Sequence, residues 1–299
     1  MHVLILGCGY LGTLLARRLH AQGAAVYATT RRAEAAQALQ AMGVNAVSAS
    51  DPLEIPSDWR RRITHLVDSI PTEGAHAPQR AWAAALAGVL PRLEWVGYLS
   101  STSVYGDRQG AWVVEDDPLN PQHPAALARV QAERAWKAAF PAVEIFRLAG
   151  IYGPGRHLGP RLMQGYATVA FAPPRYTNRI HAEDAARAIV AAMRRPRPAR
   201  IVNLADDEPL PHAEYVRRLA AAIGAPPPVM LAPEEAKRRL SARAWAFFSA
   251  SKRLSNARLH AELVPVLCYP NAEAAAAFVR REMLAHGARA VYARAAREG

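Results

Sequence analysis

Short apolar runs alternate along the first half of the chain with stretches of helical periodicity. The run His2–Leu6 stops at a glycine, and leucines then recur at helical spacing over residues 11–19. Further helix-forming stretches cover residues 34–42 and 80–90. The other short apolar runs cover residues 24–28, 44–47, 65–68, 95–100 and 144–148. This alternation predicts a parallel, doubly wound α/β sheet with helices on both faces.

The rhythm weakens after residue 150. Proline and glycine punctuate residues 153–160 and 172–174, and the end of the chain reads as helix with a basic, Ala-rich tail from about Arg280. We therefore predict a Rossmann-type domain over residues 1–150 and a smaller C-terminal lobe over 151–299. A helix and strand within residues 180–205 are expected to pack back on the first domain.

Composition narrows the class of protein. Lys plus Arg exceed Asp plus Glu by 12, but the arginines are scattered and form no basic stripe, so we expect no nucleic-acid partner. The apolar run at residues 3–16 is too short to span a bilayer and follows no basic residue, so we expect no membrane segment. Cysteines at positions 8 and 268 give neither a disulfide framework nor a metal site. A cytoplasmic protein is expected.

A glycine-rich motif lies between the first predicted strand and helix. Gly7, Gly9 and Gly12 match the G-x-G-x-x-G pattern, with Tyr10 and Leu11 between the second and third glycines. In this position the first glycine allows a tight turn, the second lets a diphosphate approach the backbone, and the third lets the helix pack closely. The helix N-terminus then points N–H groups at the phosphates. The motif predicts a dinucleotide coenzyme.

The end of the second strand bears on which dinucleotide binds. An NAD site usually has an acidic residue there, whereas this chain has Thr29 and Thr30 followed by Arg31 and Arg32. Hydroxyl and guanidinium groups suit a 2′-phosphate. A charge-assisted contact is worth about 1.5 to 3 kcal/mol, so NADP is expected to bind roughly ten- to a hundredfold more tightly than NAD. Arginines that only solvate a loop remain the alternative.

Four motifs occur in an order that indicates a known superfamily. They are the glycine motif, Leu-Ser-Ser-Thr-Ser-Val-Tyr-Gly-Asp at residues 99–107, the stretch at 147–155, and the pair of stretches at 179–184 and 202–209. In these the chain resembles the extended short-chain dehydrogenase/reductase superfamily, the NAD-dependent epimerase/dehydratase-like proteins, over residues 1–210. The resemblance implies a substrate lobe above the nicotinamide, Asp51 against the adenine, and Ser69 beside the coenzyme.

The same resemblance shows a departure in the catalytic residues. Members act through a Ser or Thr with a Tyr-x-x-x-Lys pair, and the matching serine is Ser101. The tyrosine and lysine positions are Ala125 and Arg129, and none of the ten tyrosines has a lysine four residues on. Arg129 can hold a ribose or phosphate, but its guanidinium stays protonated and cannot shuttle protons. A nonstandard donor is therefore needed, and we favour Tyr105 over Tyr152, although packing alone can explain either tyrosine.

The leading hypothesis is an NADP-dependent oxidoreductase or epimerase-like enzyme that acts on a small molecule. The alternative is a noncatalytic NADP(H)-binding sensor or interaction protein. The sugar-nucleotide dehydratases of the superfamily carry an acidic pair where this chain has Thr102 and Ser103, which disfavours dehydration. Three arginines at positions 156, 161 and 175 suggest an anionic substrate. A homodimer is left open.

Overall fold

A parallel seven-stranded sheet forms the centre of the protein. A computed structural model describes residues 1–51, 53–72, 77 and 79–298. The strands are β1 (His2–Leu6), β2 (Ala25–Thr30), β3 (Asn45–Ser48), β4 (His65–Asp68), β5 (Trp95–Ser101), β6 (Trp112–Val113), β7 (Glu144–Leu148), β8 (Gly150–Tyr152), β9 (Ala167–Val169), β10 (Tyr176–Thr177), β11 (Arg179–His181), β12 (Ile201–Leu204), β13 (Leu210–Pro211), β14 (Val229–Leu231) and β15 (Arg253–Leu254). The sheet has the order β12-β7-β5-β4-β1-β2-β3, and the other strands form two-stranded pairs. The predicted Rossmann-type fold is confirmed.

Helices cover both faces of the sheet and build the second half of the chain. They are α1 (Tyr10–Ala21), α2 (Ala33–Gln40), α3 (Ser57–Arg60), α4 (Gln79–Val89), α5 (Pro124–Ala139), α6 (Gly159–Met163), α7 (Ala182–Arg194), α8 (His212–Ile223), α9 (Pro233–Arg239), α10 (Ala242–Ser249), α11 (Ala257–Glu262) and α12 (Ala272–Glu298). A 3-10 helix, Thr102–Tyr105, follows β5 directly. None of the helices in the described part of the chain combines the length and apolar character needed to cross a bilayer.

Alternation along β1 explains why helices cover both faces. Successive strand side chains point to opposite faces, and Val3 and Ile5 join one apolar core while Leu4 and Leu6 join another. The first core includes residues of α1 and α7, and the second includes residues of α4 and α5. A strand that is buried on both faces needs apolar residues at every position, and this explains the continuous apolar run of β1.

The C-terminal lobe has a core of its own. Tyr152 packs with residues of α6, α8 and α12, among them Leu162, Val216 and Phe278. Between the lobe segments the chain returns to the sheet, where α7 packs on α1 and β12 pairs with β7. The second half of the chain thus contributes both a strand and a helix to the Rossmann-type layers.

A buried ion pair joins the sheet to α5. Arg147 of β7 binds Glu133 of α5 through two hydrogen bonds, Nη2–Oε2 at 2.9 Å and Nε–Oε1 at 3.1 Å. Both side chains are at most 3% exposed. Ser100 of β5 donates a further bond to Glu133 at 2.6 Å. Because burial removes water from both charges, each partner relies on the other for its stability.

We predict that Arg147→Met destabilises the fold by about 3 to 5 kcal/mol, because Glu133 is left as an unpaired buried charge. The measurement is urea unfolding followed by circular dichroism. Arg217→Met is the matched control, since Arg217 pairs with Glu214 at the surface and its loss should cost less than about 1 kcal/mol. Equal small losses in both variants would show that the buried pair does not stabilise the fold.

Candidate functional site

The glycine-rich turn adopts a conformation that only its sequence allows. Gly7 has φ of +67°, in the left-handed region that favours glycine. A Cβ at this position would lie 2.4 Å from Cγ1 of Ile70, which follows β4. Gly7 therefore provides the tight turn between β1 and α1, pressed against the loop after the neighbouring strand.

Thr29, at the end of β2, anchors this turn. Its hydroxyl accepts a hydrogen bond from the Gly7 N–H at 3.2 Å, and its carbonyl accepts one from the Cys8 N–H at 2.7 Å. The sequence predicts Thr29 only as part of a phosphate-binding stretch and does not indicate this anchoring role. A threonine at the end of a parallel strand next to the glycine strand is the signal that was available.

Gly9 leaves open space beside the start of α1. A Cβ on Gly9 would meet no atom closer than the Gly7 carbonyl oxygen at 3.8 Å, whereas one on Gly12 would press on Cγ2 of Ile5 at 3.3 Å. The first N–H groups of α1, at Tyr10 to Gly12, have no partner within the helix. Gly9, the N-cap, offers them no side-chain hydrogen bond, and the first turn of α1 holds no acidic residue. These features fit a coenzyme diphosphate, which would occupy the space at Gly9.

The predicted adenosine-binding residues follow two adjacent strands. Arg31 and Arg32 are exposed directly after β2, and Thr30 is buried at its end. Asp51, a few residues after β3, is exposed and accepts a hydrogen bond from the Leu53 N–H at 2.9 Å. Since β2 and β3 are paired in parallel, all four residues lie at one edge of the sheet.

Of two further predicted coenzyme residues, Ser69 directly follows β4 and Arg129 of α5 hydrogen-bonds to β5. Ser69 is half-buried, and its N–H donates to the Leu6 carbonyl at 2.9 Å. Arg129 of α5 donates through Nη1 to the Tyr98 hydroxyl and to the Leu99 carbonyl, each at 3.0 Å. Arg129 therefore braces β5, and any contact with a ribose must come from the rest of its guanidinium.

Asp68 is not among the residues predicted from the sequence, but it holds the loop that contains Ser69 in place. It is fully buried, and its carboxylate accepts hydrogen bonds from the Ile70 N–H at 2.9 Å and from Trp136 Nε1 at 2.8 Å. Burial raises the pKa of Asp68 to about 6, against the lowering effect of these hydrogen bonds. The residue fixes the loop that walls Gly7.

Ser101 ends β5 at the carboxyl edge of the sheet. Its side chain is half-buried, and Oγ accepts a hydrogen bond from the Ser103 N–H at 3.2 Å, which caps the 3-10 helix. Among the described residues no acceptor takes its hydroxyl proton, so the O–H can donate to a substrate oxygen. Ala125, at the first turn of α5, is half-buried as well.

The surroundings of Tyr105 argue against the predicted proton-donor role. It is fully buried, its hydroxyl donates to Asn203 Oδ1 at 2.8 Å, and it accepts from Arg147 Nη1 at 2.8 Å. Burial raises the pKa of Tyr105 to about 12, although Arg147 acts in the opposite direction. A hydroxyl with both hydrogen bonds used inside the protein has no proton to hand to a substrate.

Tyr152, the other candidate donor, lies in the core of the C-terminal lobe. Its ring packs edge-on against His181 and Phe278, and burial raises the pKa of its hydroxyl. The hydroxyl has no hydrogen-bond partner among the described residues. The hydroxyl is therefore enclosed in the core of the lobe, where it is closed to solvent.

The three arginines proposed for an anionic substrate do not converge. Arg156 lies over the ring of Tyr10, with its guanidinium carbon 5.3 Å from the ring centre. Arg161 lines a cavity of about 320 Å³ beside β9, and Arg175 lines a second one of about 350 Å³. Val169 borders both cavities. Across the described residues, no cluster of three or more His, Cys, Asp or Glu side chains could hold a metal ion.

Comparisons with known proteins agree with this architecture. A model of the NAD dependent epimerase/dehydratase family matches residues 3–205. Protein YeeZ from Escherichia coli strain K12 is 31% identical over 245 residues, which cover 76% of this chain and 85% of YeeZ. The structure of a functionally unknown conserved protein from Silicibacter pomeroyi is 34% identical with a TM-score of 0.84, over 95% of this chain and 98% of that one. Human epimerase family protein SDR39U1, solved with NADPH, shares the fold at 18% identity and a TM-score of 0.72, over 94% and 99% of the two chains.

We predict that Gly9→Ala weakens NADPH binding about tenfold or more, because its Cβ fills the space left for the diphosphate. The free energy of unfolding should change by less than about 1 kcal/mol, since the protein itself leaves room there. Calorimetric titration and urea unfolding measure the two effects. Gly7→Ala is the control that should lower the free energy of unfolding, because Gly7 has a positive φ and an added Cβ would clash with Ile70. Unchanged NADPH affinity in Gly9→Ala would remove the diphosphate from this position.

Proposed function

Because the chain belongs to the NAD-dependent epimerase/dehydratase family, we propose that it binds NADP(H) and works as an oxidoreductase or epimerase-like enzyme with a nonstandard proton donor. The observation that carries the coenzyme part is the open side of Gly9 next to the free N–H groups of α1. Its substrate is a small molecule that enters between the carboxyl edge of the sheet and the C-terminal lobe.

The preference for NADP rests on charge at the end of β2. Two exposed arginines follow the strand directly, and no carboxylate stands among the four residues from Thr29 to Arg32. A 2′-phosphate carries close to two negative charges at neutral pH, and guanidinium groups bind phosphate in a bidentate manner.

The catalytic part of the proposal rests on Ser101. When bound, the coenzyme supplies or accepts a hydride. Ser101 donates its hydroxyl proton as a hydrogen bond to the substrate oxygen and holds the carbon within reach of that hydride. Since Tyr105 is committed inside the fold and position 125 is an alanine, water at the half-exposed edge supplies the proton. A positioned general acid contributes about 10² to 10⁴ in rate, so turnover without one is expected to be slow.

A second candidate function is favoured by the same missing acid. In that case the protein binds NADP(H) without chemistry and serves as a sensor or interaction module. The two functions share the coenzyme site and differ in what Ser101 does. They are distinguished by turnover rather than by binding.

We predict that replacing both Arg31 and Arg32 with alanine weakens NADPH binding about tenfold or more and leaves NADH binding nearly unchanged. The reason is that NADH has no 2′-phosphate for these arginines to contact. Titration with each coenzyme, followed by the quenching of tryptophan fluorescence, measures both affinities. Arg17→Ala with Arg18→Ala is the control, since it removes the same charge on α1. Equal losses for NADPH and NADH would contradict the assignment of the 2′-phosphate.

We predict that Ser101→Ala lowers kcat for NADPH-dependent reduction of a carbonyl compound about a hundredfold, because the substrate oxygen loses its hydrogen bond in the transition state. NADPH affinity should change less than about twofold. Absorbance at the reduced-nicotinamide band, with a panel of aldehydes and ketones, gives the rate. Ser103→Ala is the control on the adjacent segment. If wild-type protein binds NADPH but oxidises it with no member of the panel, the result contradicts the oxidoreductase and favours the noncatalytic function.

A further inference from the structure

A turn of the C-terminal lobe sits directly on the glycine motif. The hydroxyl of Tyr10 donates a hydrogen bond to the Pro154 carbonyl at 3.1 Å. Gly153 and Arg156 close this turn with paired backbone hydrogen bonds of 2.9 and 3.0 Å. A Cβ at Gly153 would lie 2.6 Å from the Tyr10 hydroxyl, so the contact needs a glycine there. The turn at residues 153–156 is therefore fixed on the first residue of α1.

This contact places the guanidinium of Arg156 beside the glycine motif. Its Cζ lies 5.3 Å from the centre of the Tyr10 ring, and the side chain is exposed. A carboxylate of α12 also contacts the turn, since Oε2 of Glu282 accepts a hydrogen bond from the Gly155 N–H at 3.4 Å. Arg156 thus extends past the tyrosine that begins α1.

The glycine motif brings no formal charge of its own. Residues 3–16 contain no Lys, Arg, Asp or Glu, and the N-terminus of a helix carries only about half a positive charge. A diphosphate in a dinucleotide carries two negative charges at neutral pH. The motif itself therefore leaves most of that charge unbalanced, and Arg156 is a cation that the lobe places beside it.

A second observation beside the same turn concerns a buried polar atom that has no hydrogen-bond partner among the described residues. His181 is 2% exposed, and its Nδ1 accepts a hydrogen bond from the Glu183 N–H at 3.1 Å. Nε2 therefore carries the proton of the neutral ring, and it finds no acceptor among the described residues. It lies 3.5 Å from the Cβ position of Gly153, the same position that would lie 2.6 Å from the Tyr10 hydroxyl.

We infer that Arg156 binds the coenzyme diphosphate from the C-terminal lobe, with Tyr10 as the residue that positions it. This inference rests on the proposed NADP(H) binding. The diphosphate lies between the N-terminus of α1 and the guanidinium, so the coenzyme joins the two parts of the chain. Arg156 accordingly serves the coenzyme, while Arg161 and Arg175 line the cavities of the lobe.

Two probes separate this role from a general electrostatic effect. NADPH contains both the diphosphate and the 2′-phosphate. Adenosine 2′-monophosphate contains the adenosine and the 2′-phosphate but no diphosphate. Arg156→Ala should weaken NADPH binding about tenfold and change the affinity for adenosine 2′-monophosphate less than about twofold. Arg156→Lys should restore part of the NADPH affinity, and Tyr10→Phe should lose about two- to fivefold because the turn is no longer held. Calorimetric titration of the wild-type protein and each variant measures these affinities.

Matched variants make the outcome decisive. Arg161→Ala, in the same lobe, should leave both affinities unchanged. The double alanine variant of Arg31 and Arg32 should bind both ligands more weakly, because both contain the 2′-phosphate. Unchanged NADPH binding in Arg156→Ala, or equal loss of the two probes, would overturn the inference. Near-ultraviolet circular dichroism checks that each variant is folded. If the wild-type protein binds adenosine 2′-monophosphate and not NADPH, or binds neither, the proposed function itself fails, and this result is distinct from a failure of Arg156 alone.

Discussion

The buried pair between Arg147 and Glu133 is the interaction on which the functional edge depends. It joins β7 to α5, and Ser100 extends it to β5. The same arginine holds the hydroxyl of Tyr105 in the 3-10 helix that follows Ser101. Because buried charges tolerate few geometries, these elements are held in one arrangement. The position of Ser101 is therefore a consequence of an ion pair below the site.

This constraint also explains the chemistry that the edge lacks. Tyr105 follows Ser101 closely in sequence and looks like a substitute for the absent tyrosine. In the fold it belongs to the ion-pair network, because its hydroxyl bridges Arg147 and Asn203. Arg129, at the lysine position, is likewise directed to β5. Polar groups of Tyr105 and Arg129 near positions 125 and 129 therefore serve to hold the sheet together.

The coenzyme cradle shows how far local sequence can predict a site. The glycines and the apolar run before them determine a tight strand-to-helix turn, because the special backbone angles and close packing are local requirements. The motif could not reveal that Thr29 anchors Gly7, since that contact joins neighbouring strands 22 residues apart. Nor could it reveal that Tyr10 meets Pro154, which lies 144 residues further along.

The sequence by itself determined the parallel α/β fold, the glycine turn and the absence of a tyrosine and lysine at positions 125 and 129. These properties follow from periodicity and residue identity, which a chain carries wherever its parts end up. Tertiary structure alone decided that the Tyr105 hydroxyl is buried with both its hydrogen bonds made inside the protein, and that Arg156 lies over Tyr10 of the glycine motif. The availability of a hydroxyl or a guanidinium depends on burial and on partners from distant segments, and those exist only once the chain has folded.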